Sequence, residues 1–232
     1  MNAFDLSAVL KPEFAAMILA GIRTTFIVFA GAWLLAISLA MVLLTIRLTP
    51  SVIAQRAVAA YVSYHRNVPT LVQLMVWYFG IWNILPDATQ GWLSNHSGEV
   101  IFAIIALGLC QAAFFSEDLR SGLRAVAPGQ AEAARALGHS YVGSTRYVVL
   151  PQAVRNAIPA LVNHTVSLFK NTSLGMVIGV MEVTHVVQEI DSRTFLTFDI
   201  YAIGTVFYLA VSLLLMATGA MLARHYRLAA AR

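Results

Sequence analysis

Residues 130–155 read QAEAARALGHSYVGSTRYVVLPQAVR and form the longest water-loving interval in an otherwise apolar chain. Residues 132–137 are almost all strong helix formers, and Gly138 follows where a helix can end in a left-handed residue without a Cβ penalty. A second short amphipathic run covers residues 145–150, and Pro151 either stops it or starts the next element. We therefore expect two short helices that meet at a glycine elbow and present small alanine faces suited to docking.

The spacing of this stretch resembles the EAA motif, the cytoplasmic coupling loop of ABC importer membrane subunits, with the pattern E-A-A-x3-G-x9-I-x-L-P. Val148 stands where isoleucine is usual. An alanine-rich helix alone also fits a loop of any membrane protein, but the glycine and the Leu-Pro pair in register favour the coupling loop. In the family this loop sits in a cleft on the ATP-hydrolysing subunit and carries its motion into the membrane. The residues that match outright are Glu132, Ala133, Ala134, Gly138, Leu150 and Pro151.

Composition predicts a polytopic membrane protein, because 59% of the 232 residues are hydrophobic and only 11% are charged. Five intervals approach or exceed the roughly 20 apolar residues that cross a hydrocarbon core as a helix. They are residues 24–46, 68–86, 100–116, 157–181 and 200–223, and only the fourth contains a charge, Lys170. The resemblance implies an all-α fold with five transmembrane helices, the type I ABC importer (MetI-like) permease fold. Residues 1–232 would form one transmembrane permease domain with a cytoplasmic coupling loop at 118–155.

Arginine placement predicts the orientation, since cytoplasmic loops retain Lys and Arg. An N-terminus outside and a C-terminus in the cytoplasm leave only Lys11 and Arg193 in external segments, and the acids at Asp5 and Glu13 also fall outside. The bases are spread over short loops, which argues against nucleic-acid binding. The arginines predicted to be cytoplasmic are Arg47, Arg56, Arg66, Arg120, Arg124, Arg135, Arg146, Arg155, Arg224, Arg227 and Arg232. We expect a multi-pass protein of the bacterial inner (plasma) membrane.

The second interval carries a further resemblance. Residues 66–74 read RNVPTLVQL, similar to R-G/N-T/V-P-L-L-V-Q-L in the polar amino acid permeases that import histidine, arginine, glutamine and glutamate. Gln73 either holds two helices together or faces the solute path, because a carboxamide in a bilayer needs a partner. At the end of the third interval, Glu117 and Arg120 are three residues apart and can pair on a helix, or they act directly in transport.

Polar residues follow helical spacing in the fourth interval. Asn163, Ser167 and Lys170 stand at i, i+4 and i+7, with His164 and Asn171 beside them. Polar groups inside a span normally face the bundle interior or a water-filled cavity. We therefore expect this stripe to face the solute path or a partner permease. The candidates for the substrate path are Gln73, Asn163, Ser167, Lys170, Asn171, Thr172 and Ser173.

The residue pair Lys170-Asn171 suggests a substrate class. The family usually reads L-K-D/N-T/S-S-L, and here Asn171 replaces the common aspartate. A neutral amide beside a cation disfavours a cationic solute, so the hypothesis is an acidic amino acid, glutamate or aspartate, as in the glutamate/aspartate branch that the motifs resemble most. Neutral polar amino acids such as glutamine, or basic ones such as histidine and arginine, remain the alternatives, and a stand-alone secondary carrier is a further one.

The resemblance also implies partners. A subunit with five spans is too small to enclose a path, so a second permease is expected, as a homodimer or a heterodimer. An ATP-binding cassette subunit dimer would hold ATP and Mg, and a periplasmic or extracellular binding protein would deliver the amino acid. This chain lacks G-x-x-x-x-G-K-[ST] and H-E-x-x-H, and its single cysteine is Cys110. We expect that this chain contains no catalytic residue and binds no metal or cofactor. The lipid bilayer is expected to surround it.

Overall fold

The computed structural model describes residues 11–225, and all regular structure in that range is helical, which confirms the all-α prediction. Two π-helical segments, Val76–Ile81 and Thr145–Val149, and a 3₁₀ segment, Thr172–Ile178, continue neighbouring helices. The α-helices are α1 Pro12–Arg47, α2 Val52–Asn67, α3 Thr70–Met75, α4 Asp87–Ser94, α5 Gly98–Arg124, α6 Gly129–Ala136, α7 Tyr141–Ser144, α8 Leu150–Asn171, α9 Val183–Thr194 and α10 Thr197–His225.

Three helices of the described range, α1, α5 and α10, are long and apolar enough to cross a membrane. A fourth span results if residues 141–194 count as one element bent by 49°. The second predicted interval, 68–86, contains only the shorter apolar helix Thr70–Ile81. The five-span count therefore stays a prediction. Of the residues used to predict the orientation, Asp5, Arg227 and Arg232 lie outside the described range.

Helix α5 lies at the centre of the bundle. Its most apolar stretch is 61% buried, against 33% for α1 and 17% for α10. Phe115 of α5 is fully buried in a core that also contains Ala40 of α1 and Ala157 of α8. Close contact with α8 depends on Gly122, where a Cβ would overlap the backbone oxygen of Ala153. The small residues on α5 therefore let its two neighbours approach at backbone distance.

The predicted loop 118–155 is largely helical. Residues 118–124 form the last two turns of α5, and Pro151 stands in the first turn of α8 instead of ending a helix. A helical path runs without a break from Tyr141 to Asn171 through the π-helical turn Thr145–Val149. We attribute that wide turn to Pro151, which has no N–H to donate and whose ring crowds the carbonyl four residues earlier.

The fourth predicted span is broken in its C-terminal third. Helix α8 ends at Asn171, and the 3₁₀ segment that follows stops at Gly179, which has φ +87°. Gly175 and Gly179 have the G-x-x-x-G spacing of close helix contacts, but they do not lie on one face of an α-helix here. A Cβ on Gly175 would meet the side chain of Val180 at 3.1 Å, so this glycine serves the tight turn itself.

Candidate functional site

The glycine elbow forms as the sequence predicts. Gly138 has φ +91°, and its N–H donates to the Arg135 carbonyl at 2.9 Å. The next N–H, of His139, reaches back to the Ala134 carbonyl at 3.1 Å. These two bonds satisfy the last carbonyls of α6 in a Schellman arrangement, which needs a residue in the left-handed region. Because a Cβ at Gly138 would meet nothing within 4 Å, the glycine is required for its backbone conformation alone.

The second helix of the elbow begins four residues earlier than expected. The Ser140 side chain accepts a hydrogen bond from the Gly143 N–H at 3.1 Å and caps a helix that starts at Tyr141, instead of residue 145. The Gln152 side-chain amide donates to the Gln130 side chain at 3.1 Å and ties α8 to α6. The signal that the sequence interpretation missed is Ser140, a good N-cap residue directly before the helix.

An apolar patch is exposed around the elbow. We call it the coupling patch and define it by four side chains with the exposed fractions Leu137 83%, Tyr141 73%, Val142 71% and Tyr147 67%. None of them was among the predicted site residues. Such a cluster on a short connecting segment is typical of a protein–protein contact.

The residues that match the EAA pattern divide between two roles. Glu132, Ala133, Gly138 and Pro151 are exposed beside the coupling patch. Ala134 is 4% exposed, and Leu150 packs partly buried against the core of α5 and α1. One set is therefore available to a partner, and the other anchors the segment to the bundle.

Gln73 joins α3 to the end of α2 and is buried within this chain. It is 1% exposed, and its amide donates to the carbonyls of Val68 at 2.7 Å and His65 at 3.1 Å. Its oxygen lies 2.5 Å from Nδ1 of His65. The carboxamide thus satisfies the backbone groups that the break before Pro69 leaves open, which is the packing role of the two considered.

Several polar residues of the α8 stripe are also used internally. Thr172 is fully buried and donates to the Phe169 carbonyl at 2.7 Å, and Ser173 donates to the Lys170 carbonyl at 2.7 Å. His164 lies 2.7 Å from a carboxylate oxygen of Asp118 on α5. The stripe is therefore not uniformly open.

A groove between α8 and α10 is lined by two residues of the stripe. It consists of two cavities of about 560 and 550 Å³ that share Met216. Asn163 lines the first and Lys170 the second, whereas Ser167 and Asn171 are half-buried and line neither. Within the described part of the chain, no Asp or Glu lines either cavity. The cationic side chains that line the groove are Lys170, Arg155 and Arg224.

Two groove features were not found from the sequence. Ser212 lines the groove next to Tyr208, and its buried hydroxyl has no hydrogen-bond partner among residues 11–225. Behind them, the buried Glu182 carboxylate accepts the Tyr208 hydroxyl at 2.7 Å and the N–H groups of Thr184 and His185 at 2.7 and 2.9 Å. Glu182 caps α9 in this way, a role that its place directly before Val183 could have indicated.

Glu117 has a stronger partner than the predicted one. Arg47 at the end of α1 contacts it at 2.7 Å, whereas Arg120 lies 3.5 Å away. The expected pair within one helix is thus the weaker contact. The carboxylate mainly joins α5 to α1, a long-range contact that local spacing does not reveal.

Comparisons with known proteins agree with this arrangement. The family described as binding-protein-dependent transport system inner membrane component matches residues 36–228. The probable glutamine ABC transporter permease protein GlnM of Bacillus subtilis is 33% identical over 187 residues, 81% of each chain. The glutamate transport system permease protein GluC of Corynebacterium glutamicum is 34% identical over 170 residues, 70% of this chain and 75% of the relative.

A solved structure described as an amino acid ABC transporter with histidines superposes with a TM-score of 0.83 at 26% identity, covering 97% of this chain and all of the other. The resemblance to polar amino acid permeases is thereby confirmed, although the glutamate branch is only one of several matched. The matched family consists of transport components and not of enzymes. With an elbow that exposes an apolar patch, a helical bundle and a family match over most of its length, this chain belongs to the inner membrane components of binding-protein-dependent transport systems, as an ABC permease for polar amino acids.

Proposed function

We propose that the chain forms the translocation path of an ATP-driven amino acid importer and couples to a separate ATPase subunit through residues 132–151. The observation that carries this proposal is the coupling patch, four large apolar side chains exposed around the elbow at Gly138. Apolar groups on a rigid elbow gain free energy when a partner covers them. Helix α8 begins within the same segment, so movement of a docked partner would reach the groove directly.

The assembly we propose contains two permeases, two ATPase subunits and an external amino acid binding protein, in a bacterial inner membrane. The distribution of arginines supports an external N-terminus and a cytoplasmic C-terminus, with five spans when residues 68–86 are counted. The exposure of helix α10 supports a neighbouring permease or lipid there, because only 17% of its most apolar stretch is buried within this chain. ATP and Mg would bind to the ATPase subunits.

The substrate we propose is an acidic amino acid, glutamate or aspartate. Lys170 and Arg224 line the groove, and within residues 11–225 no Asp or Glu is among its lining residues. Opposite charges attract across several ångströms in a poorly solvated groove. Glutamine is the second candidate, because Asn163, Ser212 and Tyr208 also offer neutral polar groups there.

The assembled transporter with its binding protein tests both parts in proteoliposomes. ATP-dependent uptake of glutamate and aspartate is expected to exceed that of glutamine, and that of histidine and arginine should be smallest. Uptake of arginine or histidine without glutamate would contradict the substrate assignment alone. Uptake by the chain without ATPase subunits and nucleotide would contradict the coupling assignment and favour a secondary carrier.

A further inference from the structure

A basic cleft lies away from the groove, at the end of the bundle that carries the elbow. It measures about 390 Å³ and opens between the end of α1, the start of α2 and the last turns of α5. Guanidinium groups from Arg47, Arg56 and Arg120 line it, together with the apolar side chains of Val52 and Ala59. Three different helices thus direct positive charge into one small volume.

The positive charge of this cleft is only partly neutralised. Glu117 contacts Arg47 at 2.7 Å and Arg120 at 3.5 Å, so three arginines face one carboxylate. Arg56 is exposed and has no ion-pair partner among residues 11–225, and Arg124 adds a further charge one turn beyond Arg120. The Nε atom of Arg47 is buried and lacks a hydrogen-bond partner in the same range. The cleft therefore offers positive charge that is not neutralised, above all from the exposed Arg56, to an anion.

Apolar side chains beside the cleft distinguish between kinds of anion. Val52 lines the cleft and is 59% exposed, and Leu48 and Ile53, which directly follow the lining residues Arg47 and Val52 in sequence, are 48% and 82% exposed. A free inorganic anion would gain nothing from them, whereas acyl chains would cover them. Arg47 is the last residue of a membrane-spanning helix, so the cleft lies where headgroups meet hydrocarbon.

We propose that the cleft binds the phosphate group of an anionic lipid headgroup, with the acyl chains lying against Leu48, Val52 and Ile53. Basic pockets between helices at the cytoplasmic surface attract anionic lipids, and the contribution falls off beyond about 10 Å at moderate salt. A zwitterionic headgroup also has a phosphate, but its choline ammonium opposes the arginines. The site therefore selects by net headgroup charge and goes beyond the transport function proposed above.

Native mass spectrometry of the delipidated full-length chain tests this site without requiring transport, an ATPase subunit or a particular substrate. The protein is titrated with phosphatidylglycerol and with phosphatidylcholine of the same acyl chains. Phosphatidylglycerol is expected to bind more tightly than phosphatidylcholine. Arg56→Gln should weaken phosphatidylglycerol binding about fivefold, and Arg56→Gln/Arg120→Gln should weaken it further. Phosphatidylcholine binding should not change.

Arg23→Gln is the matched control, because it removes one exposed arginine from the first half of α1, and Arg23 does not line the basic cleft. It should leave the preference for phosphatidylglycerol intact. An unchanged thermal midpoint in Arg56→Gln shows that the fold is retained, as expected for an exposed side chain. Equal affinity for the two lipids, or equal loss in Arg23→Gln, would overturn the proposal. If inorganic phosphate displaced phosphatidylglycerol, the site would be one for a free anion, and the proposal of a lipid ligand would be overturned.

Discussion

The elbow around Gly138 leads directly into the helical path that carries the polar stripe of α8, yet the two regions use their side chains in opposite ways. At the elbow, backbone bonds satisfy the polar groups and large apolar side chains are left exposed. In the stripe, Thr172 and Ser173 bond to nearby carbonyls, while Lys170 remains exposed at the groove. A surface for a protein partner is thus recognised by apolar exposure, and a solute path by the polar groups that the fold leaves unused.

The largest expected effect comes from removing the elbow. Gly138→Pro forces φ to about −65° and deletes the N–H that bonds to Arg135, so co-purification of the ATPase subunit should be lost while membrane insertion persists. Gly138→Ala keeps that N–H but strains the left-handed conformation by about 1–2 kcal/mol. Association should then weaken roughly 5- to 30-fold.

Gly129→Ala provides the control for the elbow. A Cβ there also meets nothing within 4 Å, but Gly129 lies in helix α6 and does not have a positive φ. ATPase association should be unchanged. If both alanine variants weakened association equally, the left-handed turn would not be the reason.

A smaller effect is expected in the groove. Lys170→Met removes an exposed charge, and hydrogen bonds to charged groups contribute about 1.5–3 kcal/mol. The KM for glutamate uptake should rise about tenfold or more, with little change in ATPase association. Lys11→Met, which removes an exposed lysine at the start of α1, should leave that KM unchanged. An equal change of the KM in both variants would show that Lys170 does not contact the solute.

The smallest effect is on stability and concerns Gln73, a path candidate that is buried within the chain. Gln73→Leu leaves the carbonyl of Val68 unpaired, at about 1–3 kcal/mol for a buried group, and leaves the His65 carbonyl with only the weak Cys110 thiol contact at 3.7 Å. The thermal midpoint should fall by roughly 2–4 °C per kcal/mol, with the order of preferred substrates unchanged.

Gln111→Leu is the contrasting variant for that measurement. Gln111 is also buried, at 4% exposure, but its side-chain nitrogen has no partner in the described range. Its replacement should be neutral or stabilising. A changed substrate preference in Gln73→Leu would return Gln73 to the solute path.

Local sequence was sufficient for the elbow and insufficient for the stripe. Gly138 and the helix formers before it determine a turn within a few residues, so its geometry followed from short-range rules. The pairing of Glu117 with Arg47, of His164 with Asp118 and of Glu182 with Tyr208 joins residues 26 to 70 positions apart. Such contacts depend on how helices pack, and the periodicity of one helix does not contain them.

The span count shows the same limit. Hydropathy identified the apolar intervals, but it did not reveal the break at Gly179 or the short helix Thr70–Ile81. Both follow from backbone features, a left-handed glycine and Pro69, which directly precedes a new helix at Thr70. Apolar length alone therefore overstated how regular these segments are.

Photocrosslinking at the coupling patch tests the central claim most directly. Val142→p-benzoylphenylalanine, at a side chain that is 71% exposed, should crosslink to the ATPase subunit in the assembled transporter. Ile84→p-benzoylphenylalanine, at a 75% exposed side chain on the loop before α4, should not. A Val142 variant that inserts normally but gives no crosslink to the ATPase subunit would contradict the account.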